Sequence, residues 1–163
     1  MPPIAKIVSG GQAGADRAAL DWAIGRNVPH GGWCPMGRLA EDGVIPLQYS
    51  LTEMDKPGYA RRTRQNVIDS DGTLILNLGT LGGGTLKTQN FAKKYRKPCF
   101  VIQLDSDELE RQISELRKWF DENHIKILNV AGPRERSVSE FLCVRGHEKI
   151  PKGQHHDHDD EHD

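Results

Sequence analysis

Short β-branched runs alternate along this chain with longer stretches in which apolar residues recur every three or four positions. Ile4–Val8 reads as a buried strand, and Asp16–Ile24, with Ala18, Ala19, Leu20, Trp22, Ala23 and Ile24, as a mostly buried helix. Gly31-Gly32-Trp33-Cys34 suggests a short strand, and Arg38–Pro46 an irregular loop carrying Glu41, Asp42 and Gly43. Tyr59–Ser70 predicts a polar helix with Val67 and Ile68 turned inward. Thr73–Leu78 is the strongest strand signal, with Gly and Thr punctuating both ends.

Thr85–Arg96 reads as a helix that Lys97-Pro98 ends, because a residue before proline avoids the α region. Cys99–Gln103 is a further strand. Asp105–Glu122 is the clearest amphipathic helix, with Leu109, Ile113, Leu116, Trp119 and Phe120 at helical spacing and Asp105 or Ser106 as its cap. Lys126–Val130 gives one more strand, and Gly132-Pro133 opens a last helix, proline suiting its first turn. Strand–helix alternation of this kind implies an α/β fold, an open and mostly parallel sheet with helices on both faces. Residues 1–145 carry the pattern as a single domain. From about Gly146 it stops, and the His- and Asp-rich end reads as a disordered tail, with weak metal scavenging as the sharper alternative.

Composition narrows the class. A chain of 163 residues with 36% hydrophobic and 28% charged residues suits one soluble globular domain. The net charge of −1 gives no bulk attraction to nucleic acid or to membrane surfaces. No apolar run approaches the roughly 20 residues of a membrane span, and the start lacks a signal-peptide pattern. Cys34, Cys99 and Cys143 are odd in number and widely spaced, which fits a reducing cytoplasm.

Two glycine-rich turns join a strand to a helix. The first is Ser9-Gly10-Gly11-Gln12-Ala13-Gly14-Ala15-Asp16, and the second Gly79-Thr80-Leu81-Gly82-Gly83-Gly84-Thr85. Such junctions offer free backbone N–H groups at the carboxyl edge of a parallel sheet, so a phosphate-type ligand is the leading expectation. The first turn has neither the P-loop nor the Gly-x-Gly-x-x-Gly spacing, which argues against a conventional ATPase or a nicotinamide dehydrogenase. Gln12 projects from the first turn, with Asp16 at its helix start. Thr88 lies one turn into the second helix, with Lys87 beside it. At the third junction, Asn129–Ser137, Arg134 or Arg136 is placed to clamp an oxyanion. Of Arg61, Arg62 and Arg64, one is expected to be functional. Cys34 reads as packing rather than as a reactive thiol, Glu41 and Asp42 form a weak acid pair, and no histidine stands near a nucleophile.

Ser9–Asp21, Gly31–Gly43, Arg62–Val67 and Leu128–Glu135 together resemble the molybdenum carrier family, and the likeness runs from about Ile4 to Phe141. The resemblance implies a Rossmann-like fold, a circularly permuted branch of the superfamily that includes the lonely-guy phosphoribohydrolases. It further implies binding of the molybdenum cofactor (a pterin dithiolene with a terminal phosphate), homo-oligomers of two or four subunits, and molybdoenzymes as acceptors. Lonely-guy enzymes carry Pro-Gly-Gly-x-Gly-Thr-x-x-Glu. Here Gly82-Gly83-Gly84-Thr85-Leu86-Lys87-Thr88 keeps the Gly-Thr, and Thr88 stands in place of the acid. Arg62 matches the arginine of the preceding helix.

These readings point to a cytoplasmic carrier or binding protein, not an enzyme, for a phosphorylated pterin or nucleotide-like ligand. Gly10, Gly11, Gly14, Gly82, Gly83, Gly84 and Thr85 would cradle the phosphate, with Thr88 within reach and Arg62 and Arg134 balancing charge. Gln12 or Asp16 would bind the heterocycle. No catalytic or metal-ligating residue is assigned. The alternatives are a nucleotide-processing hydrolase using Glu41 or Asp42, and a nucleotide-sensing module.

Overall fold

A computed structural model describes residues 4–135. In chain order the elements are β1 (Lys6–Val8), α1 (Ala15–Gly25), β2 (His30–Gly31), β3 (Trp33–Cys34), a 3-10 turn at Met36–Arg38, β4 (Leu39–Ala40), β5 (Gly43–Val44) and β6 (Thr52–Glu53). Then come α2 (Tyr59–Asp69), β7 (Gly72–Asn77), α3 (Gly83–Lys94), β8 (Cys99–Gln103), α4 (Leu109–Glu122) and β9 (Ile127–Ala131). Five strands form one sheet in the order β2-β1-β9-β7-β8, with every neighbouring pair parallel. This is a Rossmann-like α/β arrangement.

Strand alternation assigns the two faces. Ile7, Leu74, Ile102, Leu128 and Val130 bury one face against Ala23 of α1 and Phe120 of α4, with Leu116 and Trp119 packed at the margin. Thr73, Ile75 and Asn129 occupy the opposite parity of β7 and β9 and are buried, as are Val67 of α2 and Ala92 of α3. On this side α2 packs on α3 and β9, and α3 on β7 and β8. Helices therefore cover both faces. Gly72 sits against α4 and the residues that follow it: a Cβ there would lie 2.6 Å from Ile125 Cδ1 and 2.9 Å from Trp119 Cη2.

Several local expectations are corrected. The Gly31–Cys34 strand is two strands, broken at Gly32 and belonging to different sheets. Gly32 has φ +125°, and a Cβ on it would lie 2.3 Å from the Ser9 carbonyl oxygen, so only glycine passes there. The expected loop over 38–46 is a β4–β5 hairpin, and β3 pairs in parallel with β6, a strand too short and polar to show in the pattern. Arg38 closes this region by donating to the carbonyls of Ile45 (3.1 Å), Pro46 (2.8 Å) and Tyr49 (2.9 Å). Beneath it Leu20, Cys34, Ile45 and Tyr49 form a second small core.

Helix α1 is less buried than its composition suggests, because Trp22 and Ile24 face outward while Leu20 and Ala23 are fully buried. In α2 the second inward residue is Asn66, and Ile68 is half-buried. Helix α4 begins at Leu109, with Glu108 at its N-cap and no side-chain capping bond. Ser106 Oγ accepts the Glu108 N–H at 3.1 Å, while Asp105 bonds elsewhere. The helix expected from Gly132-Pro133, together with Arg136, Ser137, Cys143, His147 and the tail from Gly146, lies outside the described residues beyond Glu135.

Candidate functional site

Strand β9 lies between β1 and β7. From β1 the chain runs through α1 outward to β2, and from β7 through α3 outward to β8 on the other side. The order of connection reverses there, which opens a crevice at the carboxyl ends of the three central strands. A cavity of about 610 Å³ occupies it. That falls in the size range of small-molecule sites, roughly 300–1,000 Å³.

The three strand-to-helix junctions each supply one wall. Gly10, Gln12 and Asp16 come from the first, Gly82, Gly83, Gly84, Thr85 and Thr88 from the second, and Arg134 from the third; Arg62 enters from α2. Ten of the twelve residues singled out from the sequence thus line one cavity. Gly11 and Gly14 do not. Gly11 packs on Leu51 and Ile45 of the second core. Gly14, at φ +104°, lets the chain after β9 cross it, with Pro133 O 2.5 Å from where a Cβ would be. That crossing forms a bridge between Gly14 and Arg134, reinforced by the Glu135 N–H donating to Ala13 O at 3.0 Å.

At the second junction the first helical bond of α3 is Leu86 N–H to Gly82 O, so the N–H groups of Gly83, Gly84 and Thr85 precede it. A Cβ on Gly82, Gly83 or Gly84 would meet nothing within 4 Å, so this turn faces open space. The hydroxyls of Thr85 and Thr88 donate to Gly82 O (2.7 Å) and Gly84 O (2.9 Å), and both retain lone pairs as acceptors. A helix N-terminus with free amides carries partial positive charge and suits an anion.

Arg62 lies across Gly10. A Cβ at Gly10 would sit 1.7 Å from Arg62 Nη1, so glycine is needed there for the arginine to pass. Arg62 Nη1 donates to Asp16 Oδ2 at 3.3 Å, and Arg62 Nε is buried without a hydrogen-bond partner. Asp16 also accepts the Gln12 N–H at 3.2 Å. Burial pushes the Asp16 carboxyl above its usual range, and the nearby Arg62 and Arg134 guanidiniums only partly counter this. Tyr59 presents one ring to both arginines, with the Arg134 guanidinium 4.8 Å and that of Arg62 5.8 Å from its centroid. Arg134 makes no ion pair among the described residues.

The arm over 32–58 brings the acid pair to the rim and separates it. Arg17 binds both Asp42 oxygens, at 2.5 and 2.8 Å, which holds the Asp42 carboxyl below its usual range. Glu41 lines the cavity instead. Gln12 Nε2 donates to Leu39 O at 2.9 Å, which ties the same hairpin to the first glycine turn. Cys34 is fully buried, and burial pushes its thiol up, in line with a packing role. Arg61 and Arg64 are exposed, whereas Arg62 lines the cavity.

Tyr59, Asn66, Asn77 and Asn129 also line the cavity and were not singled out from the sequence. Asn77 and Asn129 had a legible signal, since each is an amide near the end of an otherwise apolar strand. Tyr59 and Asn66 had none, because their place depends on where α2 docks.

A family profile described as "Circularly permutated YpsA SLOG family" (cpYpsA) matches residues 7–143. The 1.45 Å crystal structure of the protein named "Putative molybdenum carrier protein" from Syntrophus aciditrophicus SB is 50% identical, with a TM-score of 0.82 over 87% of this chain and 90% of that one. No curated protein matches. With a profile match over most of its length and half of its residues shared with a solved relative, the chain belongs to the circularly permuted YpsA branch of the SLOG family.

Proposed function

We propose that this protein binds and carries a phosphorylated heterocyclic ligand, with the molybdenum cofactor, as cargo, the first candidate and a nucleotide the second. One observation carries the reading: the free amides of Gly83, Gly84 and Thr85 share a cavity with Arg134, which has no carboxylate partner among the described residues. A helix N-terminus facing a guanidinium suits a phosphate monoester dianion. Arg62 adds charge from α2, and Gln12 and Asp16 border the part of the cavity left for a heterocycle. The relative's name supports a carrier of a molybdenum-related ligand.

The experiment is native mass spectrometry of the protein purified without added ligand, followed by calorimetry with AMP and with adenosine. A co-purifying phosphorylated ligand, or AMP binding more tightly than adenosine, is the expected result. Equal affinity for AMP and adenosine, with no co-purifying phosphate compound, refutes it.

A second reading has its own observation: Glu41 faces the cavity, so an acid is present although Thr88 occupies the position of the acid in the lonely-guy motif. Release of free adenine from AMP, lost in Glu41→Gln, would make the protein a hydrolase; the carrier reading expects none above background. Assembly is a further part of the proposal. Leu39, Val44 and Leu47 are 55%, 68% and 86% exposed on the arm, and apolar area of this kind supports a homo-oligomer. Sedimentation velocity, with Val44→Lys as the disrupting variant, tests it. Cytoplasmic residence and delivery to molybdoenzymes complete the reading.

A further inference from the structure

The second glycine turn has little packing of its own. A Cβ at Gly82, Gly83 or Gly84 would touch nothing within 4 Å, and Gly82 receives no side-chain cap. Its side-chain bonds, from Thr85 and Thr88, stay inside the turn itself. Three consecutive glycines without neighbours would sample many conformations if nothing else held them.

Helix α3 holds the far side, beginning with Leu86 N–H to Gly82 O, and the near side is held upstream, at Gly79. This residue has φ +64°. Its carbonyl accepts two side-chain donors, Gln103 Nε2 at 2.7 Å and Asn77 Nδ2 at 3.1 Å. Its N–H donates to Asp105 Oδ2 at 3.4 Å. The gripping groups are tied together as well: Asn77 Nδ2 donates to Gln103 Oε1 at 2.8 Å, and Gln103 Nε2 to Asp105 Oδ1 at 2.6 Å. Helix α4 braces the rear, since Gln112 accepts the Gln103 N–H at 2.8 Å and donates to Gln103 O at 3.1 Å. Both polar groups of one loop residue are therefore fixed by side chains: Asn77 at the end of β7, Gln103 at the end of β8 and Asp105 just after it.

We infer that Gln103 and Asp105, neither of which lines the cavity, are positioning residues that fix the glycine turn so that its amides are ordered before a phosphate arrives. The inference rests on the phosphate reading proposed above. Gly79 leads into the turn and α3 leads out of it, so gripping Gly79 fixes the turn at both ends. Ordering done in advance is not charged against binding, and affinity for the anion depends on the grip.

The test is a ¹⁵N–¹H correlation titration of the full chain with inorganic phosphate and with AMP, following the resonances of Gly79, Gly82, Gly83, Gly84 and Thr85. In the unmodified chain both probes are expected to shift these amides. Gln103→Met, which keeps length and deletes both polar groups, is expected to raise the phosphate dissociation constant about tenfold and to broaden the Gly82–Gly84 resonances. Gln112→Met removes the brace on the Gln103 backbone but leaves the Gln103 side chain on Gly79, and is expected to raise the constant by clearly less than Gln103→Met does. Unchanged phosphate affinity in Gln103→Met overturns the inference and leaves the phosphate reading standing. Equal losses in Gln103→Met and Gln112→Met overturn it in favour of general loosening of α4. No response of these amides in the unmodified chain overturns the phosphate reading and the inference together. If Gln103→Met does not fold, Asp105→Asn, which is the same size and cannot serve both Gly79 and Gln103 as acceptor, is read by the same criteria.

Discussion

Two residues at the first junction, Gly10 and Asp16, are defined by the arginine they share. Glycine at position 10 is required by Arg62, whose guanidinium would lie 1.7 Å from an added Cβ. Gly10→Ala is therefore expected to leave the fold intact and to push Arg62 off Asp16. Losing one charge-assisted bond to a phosphate costs about 1.5–3 kcal/mol, roughly tenfold or more in affinity, and calorimetry with AMP reads it. Asp16 shows the opposite balance, a group kept where its charge is disfavoured. Its folded carboxyl titrates above the usual 3.8 because burial outweighs the arginines. Between 3.8 and that raised value the native state holds more protons than the unfolded chain, so stability falls as pH rises through the window. Asp16→Asn is expected to melt higher than the natural protein at pH 7, with the difference closing as pH drops below 3.8. Thermal melts at several pH values check this. A variant less stable at pH 7 would mean that its bonds to Arg62 and Gln12 outweigh desolvation.

At the scale of elements, the long ones were legible and the short ones were not. Strand β7, strand β8 and helix α4 carry enough apolar residues in register for their period to show, and Gly82–Thr85 announces the start of α3 that faces the cavity. The arm over 32–58 could not be read in this way. Its strands are two residues long, too short for a period, and they are held by the Arg38 bonds within the arm, by the close crossing at Gly32 and by Arg17 on Asp42. The same limit governed the site. Glycines and helix-start residues mark their own positions, whereas Tyr59 and Asn66 reach the cavity only through the docking of α2. Gly11 and Gly14 show the converse, glycines in the right motif that serve packing. One element prediction follows from the arm. Asp42→Asn should release the β4–β5 hairpin, so amide exchange at 39–44 is expected to rise at pH 7 with the core unaffected. Because the Asp42 carboxyl is depressed by Arg17, the pair is intact above 3.8 and is lost as pH falls through its folded value. Unchanged exchange would show that Gln12 and Arg38 alone hold the hairpin.

For the whole molecule, the sheet is the sum of two halves that never touch directly. Strands β1 and β2 form one pair, β7 and β8 the other, and β9 alone bonds to both. Its partners are distant in sequence: Leu128 stands opposite Ile7 on one side and Gly72 on the other. Core loss anywhere in this sheet is costly; Gly72→Val, which drives a side chain into Ile125 and Trp119, is expected to cost about 1–3 kcal/mol in a denaturant melt. The order of synthesis gives β9 a further meaning. While the ribosome is still producing the chain, β9 is missing from between the two strand pairs, and the long-range contacts that complete the sheet wait for residues 127–131. Nascent protein thus carries two unmated sheet edges, those of β1 and β7, from the completion of β7 until β9 is made, which is a period of exposure to chaperones and to mispairing. A chain stopped before Ile127 is expected to show no cooperative melting transition and no ligand response, since the junctions at Gly10 and Gly83 would be linked only through α2, without the strand that joins their sheet edges. Ligand competence then waits for residues 127–131, and premature termination upstream of them is expected to yield material for degradation rather than a weaker carrier.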